Sequence, residues 1–317
     1  MQVKEHNASL PIQTRNADSE RVSLTPIPDT SKSSLFNFNT CGINTLLSDS
    51  SNSYPIPWTG NVFSNATFFN VSRCSVTLIS EWYAVGPAYC FGDVQQEHYI
   101  VFGADGDSTI RKCDKSNTTG PCMLPTQRIL VEKIIIHPQY DRASYSNDIA
   151  LAKLTRPVDT SQRNVRPICL PLLDEVRSYD RSNLMMSSTT GTVSKFTVTR
   201  VENRYLELDE CKQRWKGLAV SFAIENTKSC IITKRSSDDA CVGVFTGAAL
   251  HTLQRVQSSE RHFLRGFVLI MPRGCSVYYP AVYTNTDHYL SWILENMDEP
   301  LYPSEGSTDL RERLIFN

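Results

Sequence analysis

Cys241-Val242-Gly243-Val244-Phe245-Thr246-Gly247-Ala248-Ala249-Leu250 is the stretch on which the fold turns. It sets a glycine two residues after a cysteine and a second glycine further on, ahead of a small apolar run. Alone it is a weak pattern, because many loops match a Cys-x-Gly with a later glycine by chance. Its meaning comes from the other segments it follows and precedes.

Working outward, Cys74-Ser75-Val76-Thr77-Leu78-Ile79-Ser80 is followed by Trp82-Tyr83-Ala84-Val85-Gly86-Pro87-Ala88-Tyr89-Cys90. Next come Ile134-Ile135-Ile136-His137-Pro138-Gln139-Tyr140 and Ser146-Asn147-Asp148-Ile149-Ala150-Leu151-Ala152-Lys153-Leu154. Val165-Arg166-Pro167-Ile168-Cys169-Leu170-Pro171 lies between these and the opening stretch, and Pro280-Ala281-Val282-Tyr283-Thr284 with Tyr289-Leu290-Ser291-Trp292-Ile293 lies beyond it. Taken in order, the series resembles the trypsin-like (S1) serine protease family, most of all the protease domains of arthropod clip-domain proteins. The resemblance covers roughly residues 41 to 298. It implies an all-β fold, a chymotrypsin-like double six-stranded β-barrel with a C-terminal helix.

The strand pattern agrees. From residue 54 onward short β-branched and aromatic runs such as Thr126–Ile136 and Phe263–Met271 alternate with turn-rich segments, as in a barrel of many short strands. Thr286–Met297 differs, because Tyr289, Trp292, Ile293 and Met297 recur at helical spacing. Residues 1–40 are polar and rich in Ser, Thr, Asn and Pro, so they read as a flexible arm; 41–298 form the protease-homologue domain, and 299–317 a polar tail. No clip module is expected within residues 1–40, which lack the cysteines one would need.

Composition narrows the class. A chain of 317 residues buries a full core, and a formal charge of -1 argues against a general binder of nucleic acid or anionic membrane. No apolar run approaches the roughly 20 residues that span a bilayer. Ten cysteines favour an oxidising, extracellular compartment. A metal site is not expected, since no Cys-x2-Cys pair exists and the six histidines are scattered. No cofactor is expected either. The first twenty residues contain no apolar stretch and do not read as a signal peptide, so the expectation is a start downstream of the true one, or a fragment.

The family resemblance implies a pairing that uses every thiol: Cys41–Cys169, Cys74–Cys90, Cys113–Cys122, Cys211–Cys230 and Cys241–Cys275. Each such bridge is worth about 2 to 4 kcal/mol through the freedom it removes from the unfolded chain. Asn7, Asn65, Asn70 and Asn117 stand in Asn-x-Ser/Thr sequences and are candidate glycosylation positions.

The same resemblance locates the reaction centre and suggests what is missing from it. Serine-protease catalysis uses a hydroxyl nucleophile, an imidazole that takes its proton and a carboxylate that orients the imidazole. Asp148 matches the carboxylate, whereas Tyr89 stands at the place of the imidazole, and a phenol holds its proton at neutral pH. Phe245 takes the nucleophile's place counting forward from Cys241, and Thr246 counting back from Gly247, the segment being one residue longer than the family pattern. A threonine hydroxyl without an adjacent base is a weak nucleophile. Gly42 to Ser72 contains neither Arg nor Lys at which activating cleavage would occur, and Val244 replaces the aspartate that would receive the new N-terminus. Asp239 matches the floor of a pocket selecting Lys or Arg; the preferred reading is a solvated loop acid beside Asp238. Pro272 and Arg273 depart from the usual pocket wall. His137 reads as a structural side chain, and His251, His262 and His288 fall in no matching motif.

The function these residues favour is a secreted, catalytically inactive homologue that binds extracellular proteins, namely active cascade proteases or their substrates. The resemblance implies an arthropod innate-immune setting of the melanization or Toll type. The alternatives are an active endopeptidase with an unorthodox site built on Thr246 and Asp148, or a recognition or adhesion protein unrelated to proteolysis.

Overall fold

A computed structural model of the chain describes residues 32, 35–44, 56–64, 71–72, 74–92, 95–104, 126–192, 195–216, 224–234, 246–256, 258–271 and 278–298. The first half supplies strands β1 (Thr59–Ser64), β2 (Val71–Ser72), β3 (Ser75–Leu78), β4 (Tyr83–Gly86), β5 (His98–Phe102), β6 (Gln127–Ile136) and β7 (Ala150–Leu154). A short helix, α1 (Asp174–Arg177), precedes β8 (Leu184–Thr192) and β9 (Lys195–Leu206). Then follow α2 (Leu208–Trp215), β10 (Lys228–Thr233), β11 (Ala249–Val256), β12 (Ser259–Ile270), β13 (Ala281–Asn285) and α3 (Leu290–Glu295).

The expected double barrel is present. Strands β1, β3, β4, β7, β6 and β5 close on themselves, each neighbouring pair antiparallel. Strands β8, β9, β10, β13, β12 and β11 form the second barrel, closed where Ala249, Leu250 and His251 of β11 pair with Ser187, Met186 and Met185 of β8. The short β2 continues along the same edge of β8 at Gly191 and Thr192.

Alternation decides which side chains fill the barrels. Along β1 and β5, Val62, Ile100 and Phe102 join the main core, while Phe63, Tyr99 and Val101 point the other way into a small outer cluster. There Phe63 and Tyr99 stack with ring centroids 5.2 Å apart, and the Arg128 guanidinium lies 3.6 Å from the centre of the Tyr99 ring. The second barrel is filled by Leu184, Met186, Val201, Ile231, Leu250, Val268 and Tyr283. It also holds a fully buried cation: Arg265 Nε donates to Thr252 Oγ1 at 2.9 Å, its guanidinium faces the Tyr179 ring, and Asp287 stands 3.7 Å away. A buried guanidinium is tolerated only with such a set of partners.

The C-terminal helix is a 3-10 turn, Thr286–Tyr289, running into α3. The Asn285 side chain caps the turn by accepting from Asp287 N–H at 3.1 Å, and Leu290, Ile293, Leu294 and Met297 are buried on the first barrel's core. Two aromatic residues inside the stretch that reads as a polar arm, Phe36 and Phe38, are also buried in that core. Their ring packing outweighs the polarity of the residues around them.

Three bridges hold this frame: Cys41–Cys169, Cys74–Cys90 and Cys211–Cys230. Cys113, Cys122, Cys241 and Cys275 lie outside the described residues, as do Asn7, Asn65, Asn70 and Asn117. Among the described residues no helix is long and apolar enough to cross a membrane. Non-reducing peptide mapping is expected to recover Cys113–Cys122 and Cys241–Cys275 beside the three bridges above, with no free thiol. A free Cys113 or Cys122, or a different partner for Cys241, would show the family pairing to be wrong at that loop.

Candidate functional site

Three of the residues singled out in the sequence sit at element ends along the seam between the barrels. Tyr89 lies in a 3-10 turn, Ala88–Phe91, directly after β4. Pro87 fixes the entry at φ -63 and accepts from Cys90 N–H at 3.1 Å, while Gly92, at φ 34, donates its N–H to the Tyr89 carbonyl at 3.3 Å and ends the turn. Asp148 lies just ahead of β7, and Thr246 just ahead of β11.

The turn hangs on the carboxylate. Tyr89 N–H donates to Asp148 Oδ1 at 2.9 Å, and the Ala88 N–H adds a second bond to the same carboxyl. Asp148 is 1% exposed, and among the described residues its Oδ2 has no hydrogen-bond partner. Burial pushes its pKa up to about 6, against the opposing pull of those two amides and of the Lys228 ammonium. The nearby Tyr140 hydroxyl is likewise buried without a partner, and burial together with the Asp148 charge raises its pKa.

Thr246 reaches the same place through the main chain. Its carbonyl accepts from Ser75 N–H at 3.0 Å, forming a parallel bridge with Cys74, and Cys74 is bonded to Cys90 next to Tyr89. The Thr246 hydroxyl is turned toward the Leu269 carbonyl at 3.4 Å. Gly247 follows at φ +90, with Ser75 O only 1.8 Å from where a Cβ would stand, so no other residue fits.

Tyr89 turns its ring outward, where it is 42% exposed, and packs edge-on against Tyr145 at 5.7 Å, with the Arg142 guanidinium 5.9 Å from its centre. The loop that presents them is tight. Asp141 and Ser146 pair across it, Ser144 Oγ donates to Asp141 Oδ2 at 2.5 Å, and Tyr145 and Asn147 both adopt left-handed backbone, at φ 53 and 51. Asn147 is held from two sides, donating to the Gln139 carbonyl at 3.1 Å and accepting from Tyr289 Oη at 3.0 Å. Lys228, itself buried, ties the loop down by donating to the Ser144 carbonyl at 3.3 Å.

The other residues fall elsewhere. His137 packs its ring on Tyr289 and Trp292 at 5.5 and 5.2 Å and accepts from Gln139 N–H at 3.2 Å. His288 lies 5.3 Å from the Tyr289 ring. Asp239, Val244, Phe245, Pro272 and Arg273 lie outside the described residues. The sequence did not point to Tyr145, Tyr140, Arg142 or Lys228; only the closed barrel brings the loop after β6 and the start of β10 to Asp148. It also gave no sign that His251 and His262 meet, with Nδ1 atoms 3.0 Å apart.

Comparison with known proteins places this geometry. A model of the Trypsin family matches residues 48–293. The chain is 29% identical over 232 residues to phenoloxidase-activating factor 3 of Holotrichia diomphalia, covering 71% of this chain and 64% of that protein. It is 28% identical over 239 residues to serine protease grass of Drosophila melanogaster, covering 72% and 62%. It is 27% identical over 238 residues to CLIP domain-containing serine protease B4 of Anopheles gambiae, covering 71% and 62%. The crystal structure of the Drosophila Grass clip serine protease of the Toll pathway superposes with a TM-score of 0.68 at 25% identity, over 84% of this chain and 78% of that one. The chain thus spans about three fifths of the length of the curated relatives it matches.

The raised pKa of Asp148 has a consequence for stability. A carboxyl whose folded pKa lies above its unfolded value keeps its proton longer in the fold, so stability is lost as pH rises from about 4 through about 6. Asp148→Asn leaves an acceptor for Tyr89 N–H and removes the charge. The variant is expected to gain up to about 3 kcal/mol over the wild type between pH 4 and pH 7, read from urea unfolding. A stability difference that stays constant with pH would show that Asp148 does not titrate in this window.

Proposed function

The chain belongs to the trypsin family, and on that premise we propose that it is a secreted, catalytically inactive member that works by binding. The observation that carries this reading is Asp148: its Oδ2 is buried without a donor among the described residues, and the neighbouring position holds Tyr89, whose ring faces Tyr145 and Arg142. In the proton relay of a serine protease that oxygen accepts from an imidazole, which in turn takes the nucleophile's proton. Here the Thr246 hydroxyl is directed to the Leu269 carbonyl. Val244 in place of the aspartate, and a Gly42–Ser72 stretch without Arg or Lys, support the same reading from the activation side.

Binding suits what the site presents. Tyr and Arg are residue types that supply most binding energy at interfaces, and Tyr89, Tyr145 and Arg142 stand where a polar reaction centre would open. Two relatives carry names that speak of phenoloxidase activation and of the Toll pathway. This supports a partner among active cascade proteases or their substrates, in an arthropod immune setting. The three bridges fit an oxidising compartment.

Purified protein is expected neither to cleave Arg, Lys or aromatic peptide substrates nor to react with a fluorophosphonate probe. Stoichiometric labelling at Thr246 would overturn the reading. Restoring Tyr89→His with Thr246→Ser is expected to leave peptide-ester turnover below about a thousandth of an active relative's, since loss of one oxyanion donor alone costs about 10² to 10³. Faster turnover would mean that the loop before Thr246 is already ordered for chemistry.

A further inference from the structure

The proposed function makes no use of His251 or His262, yet their rings meet inside the second barrel. A bulge between Leu250 and His251 shifts β11 against β12, so that His251 pairs with Leu264, and Leu253 with His262. The two histidines are therefore diagonal neighbours on one face, within reach of each other's side chains. His251 Nδ1 lies 3.0 Å from His262 Nδ1, and His251 Nε2 lies 3.0 Å from Ser187 Oγ. Both residues are buried, with the Trp58 ring 5.2 Å from one and 4.9 Å from the other.

Two imidazole nitrogens at this separation form a hydrogen bond only when one carries a proton and the other a lone pair. A single proton satisfies the pair, and the remaining Nε2 of His251 then donates to, or accepts from, Ser187 Oγ. With both rings neutral, one proton lies between the two Nδ1 atoms; a further proton puts a buried positive charge on one ring, and on the accepting Nδ1 it sets two N–H groups head to head. Among the described residues, none of the groups acting on the pair carries a negative charge. Trp58 and Ser187 are neutral, and Arg200 of β9, directly across from Ser187, adds a further positive charge acting on both rings. Arg261, next along β12, is turned to the Phe38 and Cys41 carbonyls. Burial first, and Arg200 second, hold the His262 pKa down to about 4, and that of His251 is also well below the ordinary imidazole value.

The main chain of His262 in turn holds the N-terminal segment. Its N–H donates to the Gly42 carbonyl at 2.9 Å, and its carbonyl accepts from Cys169 N–H at 3.2 Å. Gly42 sits there at φ +66, and a Cβ would lie 2.4 Å from the His262 carbonyl oxygen, so the contact has no slack. Any shift of β12 at His262 is therefore passed directly to residues 35–44 and to the Cys41–Cys169 bridge.

We propose that the His251–His262 pair is an acid-operated clasp, which holds residues 35–44 against β12 while both rings are neutral and releases them when the pair takes up a further proton. The sign follows from the pair being held neutral in the closed form. Its stabilisation is complete above the ordinary imidazole pKa and is lost as pH falls from about 6.5 toward about 4. Over that span one proton changes the open-to-closed ratio by about a hundredfold.

Amide hydrogen exchange on the full chain, corrected for the intrinsic effect of pH, tests this between pH 7.5 and pH 4. Protection across residues 36–44 is expected to fall about a hundredfold, while β3, β4 and β7 stay protected. His251→Gln, which can hydrogen-bond but not titrate, is expected to abolish that fall. Should the variant fail to fold, phosphine reduction of the wild type gives the same answer: Cys41–Cys169 should be reduced faster relative to Cys211–Cys230 at pH 4 than at pH 7.5. An unchanged ratio, unchanged protection, an equal loss of protection in β3, β4 and β7, or a folded Gln variant that keeps the wild-type response would each overturn the clasp.

Discussion

The hydrogen bond from Ser75 N–H to the Thr246 carbonyl ties the first barrel to the second at the candidate site. Ser75 opens β3 of the first barrel, and Thr246 leads into β11 of the second. Gly247 locks the join, because its N–H donates to the Val268 carbonyl at 2.7 Å while its bare α-carbon lies against the Ser75 carbonyl. A strand end is thereby fixed to β3 and β12 at once. Since Cys74 precedes Ser75 and is bonded to Cys90, the same junction also sets where the turn carrying Tyr89 stands. Asn61 and Ser75 extend the seam, Asn61 Nδ2 donating to Thr189 Oγ1 at 2.8 Å and Ser75 Oγ meeting Ser188 Oγ at 3.4 Å.

A seam of this kind collects buried polar groups, and not all of them are satisfied. Leaving one buried acceptor without a donor costs about 1 to 3 kcal/mol, and Asp148 Oδ2 is such a group. The frame absorbs the cost through covalent constraint, with the Cys41–Cys169 bridge spanning 128 residues of sequence. The two titrating centres also oppose each other. Asp148 disfavours the folded state as pH rises through its window, and the histidine pair disfavours it as pH falls. Between about pH 4 and about pH 6 the two effects work against each other.

Much of this was legible in the sequence, and the reasons differ by element. The strands could be read because each side of a barrel strand repeats every second residue, and α3 because Tyr289, Trp292, Ile293 and Met297 fall on one helical face. The junction was legible as a frame of cysteine and glycines, because a Cβ cannot be added at Gly247. Phe36 and Phe38 were hidden by their polar neighbours, since two aromatic residues carry too little pattern to outweigh a Ser- and Asn-rich stretch. The Tyr89–Tyr145 contact and the histidine pair were not legible at all. The first needs the left-handed backbone at Tyr145, and the second a bulge at His251, and neither leaves a mark in residue order.

What positions the candidate site is main chain rather than side chain. Tyr89 is anchored by its own N–H on Asp148, Thr246 by its carbonyl on Ser75, and the 3-10 turn by Pro87, Cys90 and Gly92. None of these bonds depends on which side chain stands at residue 89 or 246. Asp148 is the exception, because its carboxyl is the acceptor that organises the turn whether or not chemistry takes place. The buried carboxylate, the Tyr89 turn and the double barrel are therefore held by one set of main-chain contacts. The side chains at residues 89 and 246 are mounted on backbone that other contacts already hold, and the binding role proposed above requires no change to that frame.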